Sequence, residues 1–357
     1  MSPPLVSVLM SVFNGEKYLA VAIDSILGQT FSDFEFIVID DGSTDSTARI
    51  LSDYALRDSR LRVVQQQNKG RTASLNIGLG LCKGTYIARM DADDFALASR
   101  FGDQVSFMER NQDVVLVGGA IELMGSRGQT LRAVIPPLDD SEIRASLLRQ
   151  NPICHPAVLL RKEVVLAVGG YRGAFQESED YDLWLRMSER GRLANLGQVV
   201  LKYRVHGGQV SVRYLRCQAE CLLAAQGSAA CRSQGALDPL AGADKLGPET
   251  LRDLGVKEMG VQQFFVDAYY YWAQLLRDSD PEAFLQIGGQ VLRMCRREYV
   301  GRAFLADAWL TVAAINFERG ERLKALTSAA QAIAMRPIIA GRPVKRAFTW
   351  LVATLKA

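Results

Sequence analysis

Residues 85–94 of the chain run Thr-Tyr-Ile-Ala-Arg-Met-Asp-Ala-Asp-Asp, an apolar stretch that passes directly into three carboxylates. Residues 34–45 repeat the arrangement, with Phe-Glu-Phe-Ile-Val-Ile followed by Asp-Asp-Gly-Ser-Thr-Asp. Short apolar runs of this kind favour buried strands. In open α/β sheets, ligands bind outside the carboxyl ends of the strands. The two runs therefore predict two strands whose acidic ends lie at a binding edge.

The sequence around these runs alternates apolar and amphipathic stretches. Further strands are predicted at Leu5–Phe13 and Leu61–Gln65, and helices are predicted over 16–29 and 72–81, where apolar residues recur at helical spacing. Strands that alternate with helices are typical of a parallel α/β sheet.

The regularity falls after residue 114, and helix formers dominate from Tyr214 onward. We therefore expect an α/β domain, a helix with a linker rich in Gly, Ala and Pro, and an all-α extension. The expected bounds are 1–213 for the α/β domain (halves about 1–115 and 116–213), 214–250 for the helix and linker, and 251–357 for the extension. In the extension, Trp309, Ala325, Ala332 and Pro337 lie near the offsets of a tetratricopeptide hairpin, and a plain helical hairpin fits equally well.

The composition excludes several classes of protein. The chain has 357 residues, of which 48% are hydrophobic and 23% charged, as in an ordinary globular protein. A net charge of +3 argues against nucleic acid as a partner. The six cysteines form no Cys-x-x-Cys pair, which predicts neither a zinc ribbon nor a disulfide framework and fits a reducing compartment. The N-terminus lacks a signal-peptide pattern, and no apolar window approaches the roughly 20 residues that span a bilayer.

The C-terminal tail, residues 342–356, combines cations with apolar residues such as Phe348, Trp350 and Leu351. This pattern fits an amphipathic helix on an anionic membrane surface. It fits equally a terminal helix that packs on the helical extension.

The acidic cluster at Asp91-Ala92-Asp93-Asp94 suggests a metal. Three neighbouring carboxylates repel one another unless a cation compensates, and Mg²⁺ or Mn²⁺ is commonly held by one or two carboxylates together with substrate phosphates. The alternative is that these acids, like those at 40–45, form a turn and favour the start of a following helix.

Taken in order, the motifs resemble family 2 glycosyltransferases. The resemblance covers roughly Leu5 to Ser211 and rests on residues 7–15, 25–30, 38–45, 68–70 with Asn76 and Gly78, 83–94, Asn151, His155-Pro156, Gly169-Gly170-Tyr171, 179–185 and His206-x4-Ser211. It implies a GT-A-like fold, in which a mixed nucleotide-binding sheet is flanked by helices.

The resemblance also implies roles for residues of the first half. Asp40 or Asp41 contacts the nucleotide of a nucleotide-sugar, and Arg71 supports it. Asp91 holds the ribose, and Asp93 ligates Mn²⁺ or Mg²⁺.

The end of the first strand departs from the family pattern. Ser11 and Phe13 stand where Pro and Tyr are common. Both residues remain assigned to the nucleotide site, but Phe13 lacks the hydroxyl group.

In the second half, the resemblance makes Asp180 the base that deprotonates the acceptor. Glu177, Glu179 and Asp182 are expected to raise its pKa. Taken without the resemblance, these acids fit the first turn of a helix.

Three further polar residues complete the implied site. Asn151 and His155 are assigned to the acceptor, and His206 is assigned to the metal or the diphosphate.

The implied activity is inverting, metal-assisted transfer from a nucleotide-sugar, expected to be a UDP-sugar, to a glycan or lipid-linked acceptor in polysaccharide or lipopolysaccharide synthesis. The family setting is cytoplasmic, with peripheral contact at the inner face of the membrane if the tail binds there. Two alternatives stay open: a nucleotidyltransferase, which usually carries a Gly-rich basic first loop, and a non-catalytic scaffold that uses the helical extension. The missing G-x-G-x-x-G pattern counts against a dinucleotide oxidoreductase.

Overall fold

The computed structural model describes residues 3–206, 214–277 and 280–335. Its contacts divide the chain into two compact units. The first consists of residues up to Val205 together with Cys221–Gly255, and the second consists of His206–Glu220 together with the residues from Val256 onward.

One mixed sheet forms the centre of the first unit. Its strands within the described residues are β1 Val6–Val12, β2 Phe34–Asp40, β3 Leu61–Gln65, β4 Tyr86–Met90, β5 Phe95–Ala96, β6 Val114–Met124, β7 Thr130–Val134, β8 Leu159–Arg161 and β9 Arg192–Arg204. The spatial order is β3-β2-β1-β4-β8-β6-β9-β5, with β7 beside β6. Strands β1 to β4 are parallel, and β8 is antiparallel to both β4 and β6.

Helices flank this sheet, which confirms the predicted fold class. They are α1 Leu19–Leu27, α2 Thr47–Ala55, α3 Arg71–Leu81, α4 Arg100–Arg110, α5 Asp140–Leu147, α6 Lys162–Ala167 and α7 Glu179–Ser188, with a short 3-10 helix at His155–Ala157. Two more helices, α8 Leu215–Ser233 and α9 Pro248–Asp253, follow β9 along the chain. Helix α8 runs from the second unit into the first, where its residues from Cys221 onward belong.

Close packing of α3 on the sheet fixes the binding edge. Strand β1 is buried along nearly its whole length because sheet and helices cover both of its faces. A methyl group on Gly78 would lie 2.2 Å from Cδ1 of Leu9, so only a glycine lets α3 approach β1 this closely. The start of α3 is therefore held beside the carboxyl ends of β1 and β2.

The second unit is helical, as predicted for the extension. It contains α10 Glu258–Leu276, α11 Pro281–Met294, α12 Arg302–Glu318 and α13 Arg322–Met335. The Asp280 carboxylate caps α11 by accepting a hydrogen bond from the Ala283 amide at 3.1 Å. Helices α12 and α13 pack against each other as a hairpin. Trp309 lies on α12, Ala325 and Ala332 are buried on α13, and Pro337 lies outside the described residues.

The contacts divide the expected helix and linker, residues 214–250, between the two units. Asp238, inside the expected linker, accepts hydrogen bonds from Arg172 at 2.7 Å and from Arg232 at 2.9 Å. Gln226 of α8 donates to the Tyr181 hydroxyl at 3.1 Å. These polar contacts join residues 221–255, most of the expected helix and linker, to the α/β unit, whereas residues 206–220 belong to the helical unit.

None of the helices in the described ranges has the length and hydropathy needed to cross a membrane. The predicted membrane-binding tail, residues 342–356, lies outside the described residues.

Candidate active site

Two acidic turns lie at the same edge of the sheet. One follows β2 and the other follows β4, and these two strands flank β1 in the parallel part of the sheet. The end of β1 brings Ser11, which is half-buried, and Phe13, whose side chain is 53% exposed, to the same edge. An aromatic ring this exposed beside two polar turns is available for stacking on a base.

The carboxylates of the first turn hold loops. Asp40 accepts a hydrogen bond from the Ser43 amide at 3.0 Å. Asp41 accepts three: from the Gln66 side chain at 2.8 Å and from the amides of Lys69 and Gly70 at 2.8 and 2.9 Å. Both acids are 3% exposed. The structure thus shows these two predicted nucleotide ligands in contact with their own turn and with the β3–α3 loop.

A second loop, between β1 and α1, is tied to this turn. Asn14 is in the left-handed region at φ 52°, which asparagine tolerates better than most residues. Its amide donates to Ser43 Oγ at 2.9 Å, and its side-chain oxygen accepts from the Thr44 amide at 2.8 Å. These bonds fix the loop that follows Phe13.

Buried arginines compensate the second acidic turn. Asp91 forms an ion pair with Arg89 at 2.6 Å, and Arg89 is 1% exposed. The fully buried Arg100 donates to the Arg89 carbonyl at 2.8 Å. Burial, opposed by Cys154 and Asp94, lowers the pKa of Arg100 to about 9, so it remains a cation at neutral pH. The sequence reasoning missed both arginines because each lies inside an otherwise apolar or helical pattern.

Arg204, at the end of β9, ties this turn to its surroundings. Its amide donates to Asp94 Oδ1 at 2.8 Å, and its Nε donates to the Asp93 carbonyl at 2.8 Å. The guanidinium lies 4.3 Å from the centre of the Tyr18 ring. Nothing in the local sequence signals this role, because Arg204 is 110 residues away from Asp94 along the chain.

The donor set of this turn suits a divalent cation. Asp94 is 1% exposed, and its Oδ2 has no hydrogen-bond partner among the described residues. Burial and the charges of Asp93 and Asp91 raise the pKa of Asp94 well above its ordinary value. No group of three or more His, Cys, Asp or Glu side chains in the described residues is arranged to hold a metal. Mg²⁺ is typically held by one or two carboxylates plus substrate phosphates. The two carboxylates of Asp91 and Asp93 therefore match the number of ligands that a protein usually supplies.

The first turn of α7 presents Asp180, the predicted base. Its carboxylate accepts a hydrogen bond from Asn151 Nδ2 at 2.8 Å. Burial and the neighbouring Glu179 raise the pKa of Asp180 to about 7, which suits a general base near neutral pH. The predicted pair of Asn151 and Asp180 is thus brought together.

The three acids of this turn have different surroundings. Glu179 is 1% exposed and pairs with Arg71, whose Nε lies 2.8 Å from Glu179 Oε1. Asp182, also buried, is paired with Arg172 and, at 2.7 Å, with Arg186. Asp182 therefore anchors α7 through these arginines, whereas Glu179 acts on Asp180.

His155 lies beside the same turn. Its Nε2 lies 2.8 Å from the Tyr171 hydroxyl, and its Nδ1 lies 3.9 Å from Glu179 Oε1. Its ring packs edge-on against Trp184 with the centroids 5.8 Å apart. Burial, together with Arg89 and Arg71, lowers the pKa of His155 well below its ordinary value, so the imidazole is neutral.

Asp180 and the acidic turn 91–94 both lie near Cys154. Burial and the charges of Asp94, Asp91 and Asp180 all raise the pKa of the Cys154 thiol, so both groups lie within electrostatic reach of it. His206 is half-buried two residues beyond β9 and belongs to the second unit, and Ser211 lies outside the described residues.

Comparison with known proteins identifies the family. The sequence profile of glycosyl transferase family 2 matches residues 7–169. The O-antigen biosynthesis glycosyltransferase WbnJ of Escherichia coli is 35% identical over 225 residues, which are 61% of this chain and 87% of WbnJ. The amylovoran biosynthesis glycosyltransferase AmsE of Erwinia amylovora is 34% identical over 211 residues, which are 58% of this chain and 79% of AmsE.

Solved structures share the fold at low sequence identity. The chain is similar to S. aureus TarS 1-349 in complex with UDP-GlcNAc, with a TM-score of 0.52, 16% identity and 93% of each chain covered. It is also similar to the mannosyltransferase PcManGT of Pyrobaculum calidifontis in complex with GDP-Man and Mn²⁺, with a TM-score of 0.51, 17% identity and 95% and 87% of the two chains covered. Because the chain spans most of two relatives more than 30% identical to it, it belongs to glycosyl transferase family 2 and is a glycosyltransferase.

Proposed function

We propose that the enzyme transfers a sugar from a UDP-sugar to a hydroxyl of a glycan or lipid-linked acceptor, with inversion and with help from Mn²⁺ or Mg²⁺. The observation that carries this proposal is the environment of Asp180. Its carboxylate is hydrogen-bonded to Asn151 and has a pKa of about 7. Both this carboxylate and the acidic turn 91–94 lie close enough to the Cys154 thiol to raise its pKa.

The donor site lies at the carboxyl ends of β1, β2 and β4. Phe13 stacks on the base, and Ser11 and Asp91 contact the nucleotide. Asp40 and Asp41 shape the pocket through the loops that they hold. The UDP assignment is supported by the TarS complex with UDP-GlcNAc, and the GDP-Man complex of PcManGT makes GDP the comparison to test.

Asp93, with Asp91 beside it, would hold the cation, and the assignment of His206 to the metal stays a prediction from the sequence. When bound, the cation supplies Lewis-acid stabilisation of negative charge on the departing diphosphate. The buried cations Arg89 and Arg100 behind the turn offset the charge of its carboxylates.

In the transfer step, Asp180 accepts the proton of the acceptor hydroxyl. The oxygen then forms its bond to the anomeric carbon while the bond from that carbon to the UDP oxygen breaks on the opposite face, which inverts the configuration. Asn151 orients the carboxylate of Asp180. The neutral His155 donates or accepts a hydrogen bond at the acceptor but carries no charge.

The biological setting that we propose is assembly of a surface polysaccharide, because WbnJ and AmsE carry O-antigen and amylovoran biosynthesis in their names. A cytoplasmic location and membrane contact through residues 342–356 remain predictions. Membership in a glycosyltransferase family counts against the nucleotidyltransferase and scaffold alternatives.

Calorimetric titration tests the donor assignment. UDP, GDP and CDP are titrated into the full chain with MnCl2 and again with EDTA. We expect UDP to bind tightest and only with the metal. Metal-dependent binding of GDP alone would replace the UDP-sugar donor with a GDP-sugar, and equal binding in EDTA would contradict the role of the cation.

A second measurement tests the reaction itself. UDP release from UDP-glucose, UDP-galactose and UDP-N-acetylglucosamine is followed with and without glycan acceptors, and the anomeric configuration of the product is read by NMR. Inverted product is expected. A retained configuration would overturn the base role of Asp180.

A further inference from the structure

Arg71, the first residue of α3, has its backbone fixed on the donor side of the site. The two residues before it, Lys69 and Gly70, donate their amides to Asp41 at 2.8 and 2.9 Å. Gly70 is in the left-handed region at φ 86°, where other residues are strained. The loop that leads into Arg71 is therefore held by the turn that follows β2.

The guanidinium of Arg71 points to the acceptor side. Its Nε lies 2.8 Å from Glu179 Oε1, and its Nη2 donates to Glu179 Oε2 at 2.9 Å and to Glu177 Oε2 at 3.2 Å. Two guanidinium nitrogens of Arg71 thus lie within ion-pair distance of one buried carboxylate, and Nη2 is hydrogen-bonded to it. The guanidinium N–H groups of Arg71, which a nucleotide ligand would need, therefore face Glu179, the residue before Asp180.

The rest of the same helix face supports the segment that leads into α7. Thr72 Oγ1 donates to the Phe175 carbonyl at 3.3 Å. The Asn76 side chain donates to the Tyr171 carbonyl at 2.7 Å and accepts from the Tyr171 amide at 3.0 Å. Helix α3 thus joins the donor-side loop to the acceptor-side segment that carries the base.

We propose that Arg71 is a positioning residue for the base Asp180, acting through Glu179, and not a ligand of the nucleotide. This inference rests on the proposed function. It replaces the role that the family resemblance implied for Arg71 with one on the opposite side of the site.

The charges around Asp180 support this assignment. Burial lowers the pKa of Arg71, but Glu179 and Glu177 outweigh it and raise the value, so the guanidinium remains charged. That charge lowers the pKa of Asp180, against burial and Glu179, which raise it. The charged, titratable or hydrogen-bonding groups that face Asp180 from the packed elements are Glu179 on α7, Arg71 on α3, and Asn151, Cys154 and Tyr171 on the intervening loops. Removal of the Arg71 charge should therefore raise the pKa of the base.

The test compares Arg71→Gln with the wild-type chain and with Lys69→Gln. The control removes a positive charge two residues away, on an exposed side chain, and leaves both ion pairs of Arg71 intact. UDP release from the preferred UDP-sugar is measured with MnCl2 between about pH 5.5 and 9.5, and the Kd of UDP is measured at each end of the range.

For Arg71→Gln we expect the acidic limb of kcat to move up by about one pH unit or more. The rate at pH 7 then falls about fivefold or more and recovers at alkaline pH, while the Kd of UDP stays within about threefold. Lys69→Gln should keep the wild-type midpoint. A Kd of UDP raised about tenfold with an unmoved pH midpoint would make Arg71 a nucleotide ligand and overturn the proposal.

A second variant covers loss of folding, which circular dichroism would reveal. Arg71→Lys keeps the charge but replaces the planar guanidinium that contacts Glu179 with a single ammonium nitrogen, so we expect a lower kcat with an unchanged pH midpoint and an unchanged Kd of UDP. A raised Kd of UDP in this variant also overturns the proposal. The wild-type chain distinguishes failure of the proposed function from failure of this inference. If the wild type releases no UDP, both are refuted. If the wild type is active, the variants test the inference alone.

Discussion

At the scale of single residues, Asp93 and Asp180 serve different steps of the proposed reaction. Asp93→Ala removes a carboxylate from the metal turn, so both transfer and metal-dependent UDP binding should be lost. Asp180→Asn keeps the shape and the contact with Asn151 but removes the base, so transfer should fall by roughly 10²–10⁴-fold with little change in the Kd of UDP. Calorimetry and UDP release measure the two quantities. Equal loss of UDP binding in both variants would refute this division.

The pKa of Asp180 also predicts the pH dependence of transfer. Because the base must be ionised, kcat should fall about tenfold per pH unit as the pH drops below about 7. A profile that stays flat down to about pH 5 would show that Asp180 has an ordinary pKa or is not the base.

The same shift makes Asp180 costly for stability at neutral pH. Its native pKa of about 7 lies above the ordinary value of 3.8, so the native state holds the proton more tightly than the unfolded state. The free energy of unfolding therefore falls as the pH rises from about 4 to about 7 and is lowest, for this group, above that range. Asp180→Asn should raise the free energy of unfolding by on the order of 1–2 kcal/mol at pH 8 and by much less at pH 4. Thermal unfolding at both pH values checks this, and a loss of stability at pH 8 would contradict it.

At the scale of elements, α3 allows a matched comparison of two glycines. A methyl on Gly78 would meet Leu9 Cδ1 at 2.2 Å and Ile39 Cγ1 at 3.4 Å, both from buried side chains, so Gly78→Ala should cost about 1–3 kcal/mol. A methyl on Gly80 would meet no described atom within 4 Å, so Gly80→Ala should stabilise by roughly 0.5–1 kcal/mol through helix propensity. Urea unfolding of both variants measures the difference. Equal effects would mean that α3 does not lie this close to β1.

The burial of a strand and its length decide whether the sequence predicts it. Strands β1, β2 and β4 are recognisable because both faces are covered, which produces nearly continuous apolar runs. Strand β5 has two residues and β8 has three, too few for any period to appear. The parallel pairing of β6 with β9 joins segments about 70 residues apart, which local patterns do not encode.

The residues of the candidate site also differ in how far the sequence predicts them. Acids after strands are visible in the sequence, which predicts the turns at 40–45 and 91–94, and the family motif predicts the pair Glu179-Asp180 at the start of a helix. Their cationic partners are not predicted, because Arg89 lies in a buried strand and Arg204 is distant in sequence. The separate environments of Glu179 and Asp182 depend on which face of α7 each occupies and on arginines from other elements.

At the scale of the whole molecule, a cluster of charges attaches residues 221–255 to the α/β unit. Asp238 accepts hydrogen bonds from Arg172, Arg232 and Ser228, and Arg172 and Arg232 together with Ser228 raise its acidity, so that its pKa is about 2 despite burial. Removing this carboxylate takes one acceptor from each of two partly buried guanidinium groups, of which Arg172 keeps Asp182 and Arg232 keeps Glu189, and loss of a buried ion-pair partner is destabilising.

We therefore expect Asp238→Ala to increase hydrogen exchange and protease cleavage within 234–247, with a loss of roughly 2–4 kcal/mol in the stability of the first unit. The exposed Asp244 of the same segment provides the control, and Asp244→Ala should leave exchange unchanged. If Asp238→Ala and Asp244→Ala behave alike, the segment is not held by this cluster.

The acidic turn 91–94 connects two distant places in the sheet. Strand β4, before it, lies in the middle, whereas β5, directly after it, pairs with β9 at the edge. A segment anchored at both ends over so few residues has no slack for inserted or deleted residues. During divergence of such enzymes, length changes should therefore accumulate in connections such as the β6–β7 turn, while the acidic turn 91–94 keeps its length.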